Sequence, residues 1–272
     1  MKKIVCLILA MMGALFASSA FAASECKRPQ ALNTSRTIAV DPADFPLIGR
    51  QQYAETLRLD DGEVVLTFDD GPALSSTPLV LDALAAECVK ATFFMLGRNA
   101  VEATDLVRPA YDEGHSIGTH TFTHSNLAKV PLGEAKRDID LGIEALTEAL
   151  GNKRHVMPFF RAPFLKITTQ VEKYALSRGL MIWSIDADSL DWGFTTPEEV
   201  VRRSVAQLES ANKGILLLHD IKAVTARALP LLLRELKSRN FRVVHVVAKP
   251  SLGAGFAPAR GERVSSTDGS AN

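Results

Sequence analysis

Histidine and aspartate residues occur in this chain at spacings that suit a divalent metal ion. His120 and His124 are four residues apart, which would place both imidazoles on one side of a helical turn. Asp69 and Asp70 form an acidic pair directly after an apolar run. Two imidazoles and one carboxylate make a three-ligand set, which leaves positions on zinc or a similar ion open for water and substrate. The residue types therefore indicate a catalytic metal site.

Other reactive side chains also follow apolar runs. His219 follows three leucines, Arg161 follows two phenylalanines, and Asp191 lies shortly after a run that contains Trp183. Each motif alone also has an ordinary explanation, because Asp-Gly-Pro favours a tight turn and a histidine at a strand exit is often a capped core residue. The remaining histidines lack such surroundings and are expected to be structural: His115, His155 and His245.

The secondary structure that the sequence predicts gives these positions a common location. Short apolar, β-prone runs alternate with longer helical patterns, which is typical of βα units around a largely parallel sheet. The predicted strands are residues 64–68, 91–95, 115–118, 158–161, 181–186, 214–218 and 241–246. Seven units in one domain favour a closed barrel over an open sheet. The class is therefore α/β.

Helix boundaries are also marked in the sequence. Thr196 and Glu199 form a capping box around Pro197, which predicts the first turn of a helix. An apolar stripe ending at Leu150 predicts another helix, which Gly151 terminates.

The reactive residues all lie at the carboxyl ends of predicted strands. In a βα barrel those ends converge on one face, where the loops build the active site. Residues as distant in sequence as Asp69 and His219 would therefore share one pocket. Trp192 and Phe194 lie in a loop at the same face, where they would stack on a sugar ring or cover the core.

Taken together, five motifs in order resemble the polysaccharide deacetylases of the NodB-homology group, also called carbohydrate esterase family 4. The motifs are Thr67-Phe68-Asp69-Asp70-Gly71-Pro72, His120-Thr121-Phe122-Thr123-His124, Arg161-Ala162-Pro163-Phe164, Asp188-Ser189-Leu190-Asp191-Trp192 and Leu216-Leu217-Leu218-His219. The resemblance covers about residues 63–246. It implies a distorted, incomplete (β/α) barrel of about seven strands in a single domain. It also implies an enzyme that hydrolyses the linear amide of N-acetylated sugars and releases acetate.

The resemblance further implies a role for each matching residue. It assigns the metal to Asp70, His120 and His124, the general base to Asp69, the general acid to His219, and supporting roles to Arg161, which pairs with Asp69, and Asp191, which orients and tunes His219. Phe164 stands where the family often has Tyr. The donor implied there is a backbone N–H to the oxyanion, which Phe also supplies. Trp192 is assigned to substrate binding. Zinc is the expected ion, with cobalt or another divalent ion as alternatives.

Several alternatives stay open. The motifs do not separate an N-deacetylase from an O-acetyl esterase that acts on acetylated xylan. A carbohydrate-binding protein could keep the fold without catalysis, and a non-haem iron oxygenase uses the same two-His, one-carboxylate set. The expected partner is an acetylated glycan: peptidoglycan, chitin oligomers and surface polysaccharides all fit.

The two ends of the chain indicate export and ragged termini. Residues 1–22 carry two lysines, an apolar run and a terminal Ala-Phe-Ala, which predicts a cleaved signal peptide and hence a periplasmic or secreted protein without a membrane span. Residues 23–60 are polar with scattered prolines, so they are predicted to be a lead-in outside the core. Residues 250–272 are predicted to be a disordered tail, which leaves residues 61–249 as the deacetylase domain.

Charge and cysteine content add two further expectations. The chain has 31 basic and 31 acidic residues, and signal cleavage removes two lysines, so electrostatics gives no case for binding nucleic acid. Cys26 and Cys88 would remain after cleavage. A bridge from the N-terminal segment to the domain and a free, buried Cys88 both fit this count.

Overall fold

The computed structural model describes residues 28–249 as an α/β protein with ten strands and seven α-helices. The strands are β1 (Thr34–Val40), β2 (Leu47–Ile48), β3 (Glu63–Asp69), β4 (Thr92–Met95), β5 (Ser116–Thr119), β6 (Val156–Phe160), β7 (Met181–Trp183), β8 (Ala187–Asp188), β9 (Gly214–His219) and β10 (Arg242–Ala248). The helices are α1 (Thr77–Ala86), α2 (Gly97–Glu102), α3 (Thr104–Asp112), α4 (Leu132–Leu150), α5 (Thr169–Ser177), α6 (Pro197–Ala211) and α7 (Ala223–Ser238). Two 3₁₀ turns cover Lys153–His155 and Pro163–Leu165.

All strand pairings among residues 28–249 are parallel. The pairing runs in the order β8-β9-β3-β4-β5-β6-β7-β2, and β10 joins the start of β3 to β1. The two ends of that run, β8 and β2, are not paired with each other in the part of the chain that the structure describes. The predicted α/β fold is therefore confirmed, and the gap between β8 and β2 is compatible with the expected incomplete barrel.

All seven predicted strands are present, and so are the two marked helix boundaries. The side chain of Thr196 accepts from the backbone N–H of Glu199, and the Glu199 side chain accepts in return from the backbone N–H of Thr196. This capping box begins α6. Gly151 ends α4 with a φ of 67°, a conformation that favours glycine.

The central strand β3 shows how the core is divided. All seven of its residues are buried. Val64, Leu66 and Phe68 pack into the layer between the sheet and the helices, whereas Val65 packs into the barrel interior. Since alternate residues of a strand point to opposite faces, Asp69 shares the inward direction of Val65.

The prediction that residues 23–60 lie outside the core is wrong for the part that the structure describes, residues 28–60. β1 pairs with β10, β2 pairs with β7, and Val40 and Ile48 are buried together with Leu57 and Leu59. β1 escaped detection because it is an edge strand in which only the last of seven residues is buried, so its sequence lacks a continuous apolar run.

An ion pair fixes β1 to the start of β3. The guanidinium of Arg36 contacts both carboxylate oxygens of Glu63, from Nε and from Nη2, at 2.7 Å each. Glu63 is only 2% exposed, and Arg36 holds the pKa of this carboxyl below its usual range against the opposing effect of burial.

The predicted signal peptide, the tail and Cys26 lie outside the described residues. Cys88 is disulfide-bonded. Within residues 28–249, each helix is too short or too polar to cross a bilayer.

A pair of buried histidines lies away from the reactive residues and makes the fold sensitive to acid. Burial lowers the pKa of His245 in β10 to about 4, and the nearby charges of His115 and Lys90 add to the effect. Burial also lowers the pKa of His115. In the unfolded chain the pKa of a histidine is about 6.5. The stability that depends on neutral His245 is therefore fully present above that pH and is lost as the pH falls towards 4.

We therefore expect the free energy of unfolding to fall by about 2–3 kcal/mol between pH 7.5 and pH 4.5 through His245 alone. The variant His245→Gln should lack that part of the loss. Thermal unfolding of both proteins at the two pH values measures it. An equal loss in the two proteins would show that His245 does not carry the effect.

Candidate active site

The reactive residues converge at the carboxyl edge of the sheet. Asp69 is the last residue of β3 and lies in register with His219, the last residue of β9. His120 directly follows β5, and Arg161 directly follows β6. Because these strands are parallel neighbours, the side chains at their ends meet on one face, as the sequence predicted.

Asp70, His120 and His124 bring three possible ligand atoms together, all within 4.8 Å of one another. Asp70 Oδ1 lies 3.2 Å from His124 Nε2 and 3.5 Å from His120 Nε2. Ligand atoms about 2.1 Å from a tetrahedral zinc ion are about 3.4 Å apart, so this spacing fits. Asp70 Oδ1 is also buried without a hydrogen-bond partner among the described residues. A cation would supply the missing interaction.

The pKa shifts of His120 and Asp70 suit metal binding. His120 Nδ1 lies 2.7 Å from the carbonyl oxygen of Arg161, so the Nδ1–H donates there and Nε2 is left with its lone pair. Burial lowers the pKa of His120 despite the nearby charges of Asp69 and Asp70. For Asp70, burial opposes ionisation, but the imidazoles of His124, His120 and His219 outweigh it and lower the pKa. A neutral imidazole and an ionised carboxylate are the ligand forms that a metal requires.

The prediction that His120 and His124 lie on one side of a helical turn is wrong. The residues between them form an irregular loop, in which Thr121 has a φ of 71° and His124 a φ of 66°. The imidazoles converge because the loop turns back on itself, and their ring centroids are 5.1 Å apart. A spacing of four residues does not distinguish this loop from a helix.

Asp69 and Arg161 form a buried ion pair beside the ligand set. Arg161 Nη1 donates to Asp69 Oδ1 at 2.7 Å and to the hydroxyl of Thr67 at 2.8 Å. The guanidinium also lies 4.3 Å above the ring of Phe94, and Arg161 has no exposed surface. Asp69 Oδ2 is turned towards His120, with 3.8 Å to Nε2. Arg161 thus fixes one oxygen of Asp69 and leaves the other at the site.

His219 and Asp191 form a second buried pair. His219 Nδ1 lies 2.6 Å from Asp191 Oδ1, and the His219 backbone N–H donates to Oδ2 at 2.7 Å. Burial disfavours the imidazolium, but the hydrogen bond and charge of Asp191 outweigh it and raise the pKa of His219 to about 9. At neutral pH His219 is therefore protonated. Because Asp191 holds Nδ1, the Nε2–H is the proton that His219 has to give.

Two apolar side chains are exposed at the predicted substrate positions. Phe164 is 58% exposed, and its ring lies 4.6 Å from that of His124. Its φ of 59° is unusual for a bulky residue and marks a backbone that its surroundings hold in place. Trp192 is 62% exposed in the loop after β8.

The sequence analysis missed two residues of the site, Thr225 and Asp220. Thr225, on α7, donates to Asp191 Oδ2 at 2.5 Å. Asp220 is fully buried, accepts from Thr77 at 2.5 Å, and lies so close to Gly71 that a Cβ there would be 2.2 Å from its carboxylate. Burial raises the pKa of Asp220 to about 7. Adjacency to His219 was the one sequence signal for Asp220, and Thr225 had none.

Comparisons with known proteins agree with this geometry. A family model described as polysaccharide deacetylase matches residues 57–183. A peptidoglycan-N-acetylglucosamine deacetylase of Bacillus cereus is 39% identical over 148 residues, which are 54% of this chain and 53% of the relative. A chitooligosaccharide deacetylase of Azorhizobium caulinodans is 34% identical over 168 residues, 61% of this chain and 78% of the relative. A solved peptidoglycan deacetylase of Bdellovibrio bacteriovorus has a TM-score of 0.71 and 30% identity, and the match covers 79% of this chain and 60% of that one.

The family match covers only part of the candidate active site. The family match contains the first three motifs, whereas the motifs of Asp191 and His219 lie beyond its end. The chain spans about half the length, or less, of the first curated relatives that it matches.

Proposed function

The chain belongs to the polysaccharide deacetylase family, and from this membership we propose that it hydrolyses N-acetyl groups of N-acetylglucosamine residues in a glycan. The observation that carries the proposal is the combination of a three-atom ligand set with one buried carboxylate and one protonated histidine beside it. Such a combination provides a base, an acid and a place for a divalent ion.

The site addresses the two reasons for which an amide resists hydrolysis: water is a weak nucleophile, and the amine is a poor leaving group. Asp70, His120 and His124 would hold the ion, which supplies Lewis-acid chemistry when bound. Asp69 accepts the proton of the attacking water at Oδ2, while Arg161 holds Oδ1.

His219 protonates the departing amine from Nε2. It reaches this step in the charged form because Asp191 raises its pKa to about 9. His219 is therefore charged at neutral pH, as a group that protonates an amine must be.

The exposed loops orient the substrate. The backbone N–H of Phe164 donates to the developing oxyanion, and the exposed ring of Trp192 contacts the face of a sugar. Relatives named for peptidoglycan and for chitooligosaccharide support a glycan of N-acetylglucosamine as the substrate class. We also propose zinc as the ion and, from residues 1–22, export to the periplasm or the medium, where such a glycan lies.

Acetate release from N-acetylglucosamine oligomers and from peptidoglycan tests the proposal. We expect release by the purified protein, loss of release with a chelator, and recovery on adding zinc or cobalt. Acetate from acetylated xylan but not from these glycans would replace the amidase with an O-acetyl esterase. Bound zinc without acetate from any of the three would favour a glycan-binding protein.

The role of Asp191 predicts a change in the pH profile. Turnover requires protonated His219, so kcat/KM should fall as the pH rises through the pKa of His219. Asp191→Asn removes the charge that raises the pKa of His219, so this alkaline limb should move towards lower pH by at least about one unit. Profiles of kcat/KM for both proteins measure the shift.

Glu198→Gln is the control, since it also removes one negative charge, from an exposed position on α6. Its profile should match that of the original protein. An unmoved limb in Asp191→Asn would mean that His219 is not the acid that the limb reports.

A further inference from the structure

Helix α4 contacts the histidine loop, residues 120–124, through one buried carboxylate. Asp138 is 7% exposed and belongs to none of the five motifs. Its Oδ1 accepts from the backbone N–H of Thr123 at 2.9 Å, and its Oδ2 accepts from the Thr123 hydroxyl at 3.0 Å. Its backbone carbonyl accepts from the N–H of Phe122 at 2.9 Å. A single helical residue therefore makes three hydrogen bonds to the centre of the loop.

The next turn of α4 supports the same loop by close contact. A Cβ at Gly142 would lie 2.6 Å from the carbonyl carbon of Thr121 and 2.7 Å from its oxygen. Glycine is thus required for the helix to approach this closely. Together, Asp138 and Gly142 contact all three residues between the two histidines.

The loop needs this support because its backbone is unfavourable. Thr121 and His124 both have a positive φ, which is disfavoured for side chains of this kind and persists only where surrounding contacts impose it. Within the loop, the His124 N–H donates to the Thr121 hydroxyl at 3.1 Å, and from α2 the N–H groups of Gly97 and Arg98 donate to the carbonyls of Thr121 and Phe122. Without Asp138, the residue before His124 would lose both of its anchors to the helix.

We propose that Asp138 is a positioning residue for metal binding: it fixes the loop so that His124 reaches the ion together with His120 and Asp70. The inference rests on the proposed metal site. The carboxylate supplies an acceptor to each of the two groups of Thr123 that face it, and an alanine would remove both acceptors. An asparagine would keep both contacts, because its oxygen accepts from the Thr123 N–H and its NH₂ group can donate to the hydroxyl oxygen while the hydroxyl proton turns to Ser125.

Zinc affinity, measured by competition with a chromophoric chelator, tests the inference without relying on turnover. Asp138→Ala should weaken zinc binding about 10–100-fold, as the loss of a group that orients a metal ligand typically does. At saturating zinc its kcat should return to within a few-fold of the original value, because the acid and base are untouched. Thr123→Val removes the bonds of the hydroxyl to Asp138 and Ser125, keeps the bond of the backbone N–H to Asp138, and should give a smaller loss of affinity.

Asp140→Ala is the matched control on the same helix. Asp140 accepts from Tyr174 at 2.5 Å and from Arg178 at 2.8 Å and has no bond to the loop among the described residues. The Asp140 variant should have a lower melting temperature and an unchanged zinc affinity.

Unchanged zinc affinity in both Asp138→Ala and Thr123→Val overturns the inference, even if the enzyme deacetylates. Equal weakening in Asp140→Ala also overturns it, since the effect would then be general destabilisation. Weakened zinc binding in an enzyme that releases no acetate would support the inference and refute the proposed function. An original protein that binds no zinc refutes both.

Discussion

We expect His120→Ala to lose zinc and turnover together, whereas His219→Ala should keep zinc and lose turnover about 10²–10⁴-fold. His120 Nε2 is directed at the ligand set, 3.5 Å from Asp70 Oδ1, so its removal takes away a ligand. His219 instead bonds to Asp191 through Nδ1 at 2.6 Å and has its proton to give at Nε2. The two histidines therefore differ in what they bind.

Metal content after dialysis and single-turnover acetate release separate these two roles. His155→Ala is the control for the loss of a histidine: His155 stacks on Tyr111 and precedes the amino end of β6, whereas the reactive residues lie at the carboxyl ends of the strands. It should keep both zinc and turnover. Equal loss of zinc in His120→Ala and His219→Ala would show that the division between ligand and acid is wrong.

The second large effect is expected at Asp69. Asp69→Asn should keep zinc and lower kcat about 10²–10⁴-fold, because an amide cannot take the proton of water. It should also destabilise the protein by about 3 kcal/mol, since Arg161 has no exposed surface and would keep its charge without a counter-ion.

The opposite end of the same strand offers a matched control for that destabilisation. Glu63→Gln also removes a buried carboxylate from an arginine, at 2.7 Å from Arg36, but far from the ligand set. It should lower the melting temperature and leave kcat unchanged in folded protein. Near-normal kcat in zinc-loaded Asp69→Asn would rule out Asp69 as the base.

The sequence predicted the strands and the meeting of the site residues for a simple physical reason. A buried parallel strand such as β3 is apolar along its whole length, so the polar residue that ends it is conspicuous. Once the strands are parallel, their carboxyl ends must share an edge. Asp69, His120, Arg161 and His219 could therefore be placed together without knowledge of any distance.

The parts that the sequence did not predict depend on contacts between distant residues. β1 becomes a strand only by pairing with β10, and only one of its residues is buried. Thr225, Asp138 and Asp220 are ordinary polar residues of helices and loops until the fold brings them to Asp191, Thr123 and Gly71. Local spacing carries no signal for such contacts.

The pairing of β1 with β10 also determines the order in which the protein can be completed. The partners Thr34 and Val243 are more than two hundred residues apart, so β1 cannot pair until β10 has been synthesised. Contacts over such separations form late, and until then β1 offers an unpaired edge to other chains. A chain cut short before β10 would contain all five motifs, but β1 would have no partner strand and the start of β3 would lose one. We therefore expect such a truncated product to aggregate rather than to accumulate in the folded form.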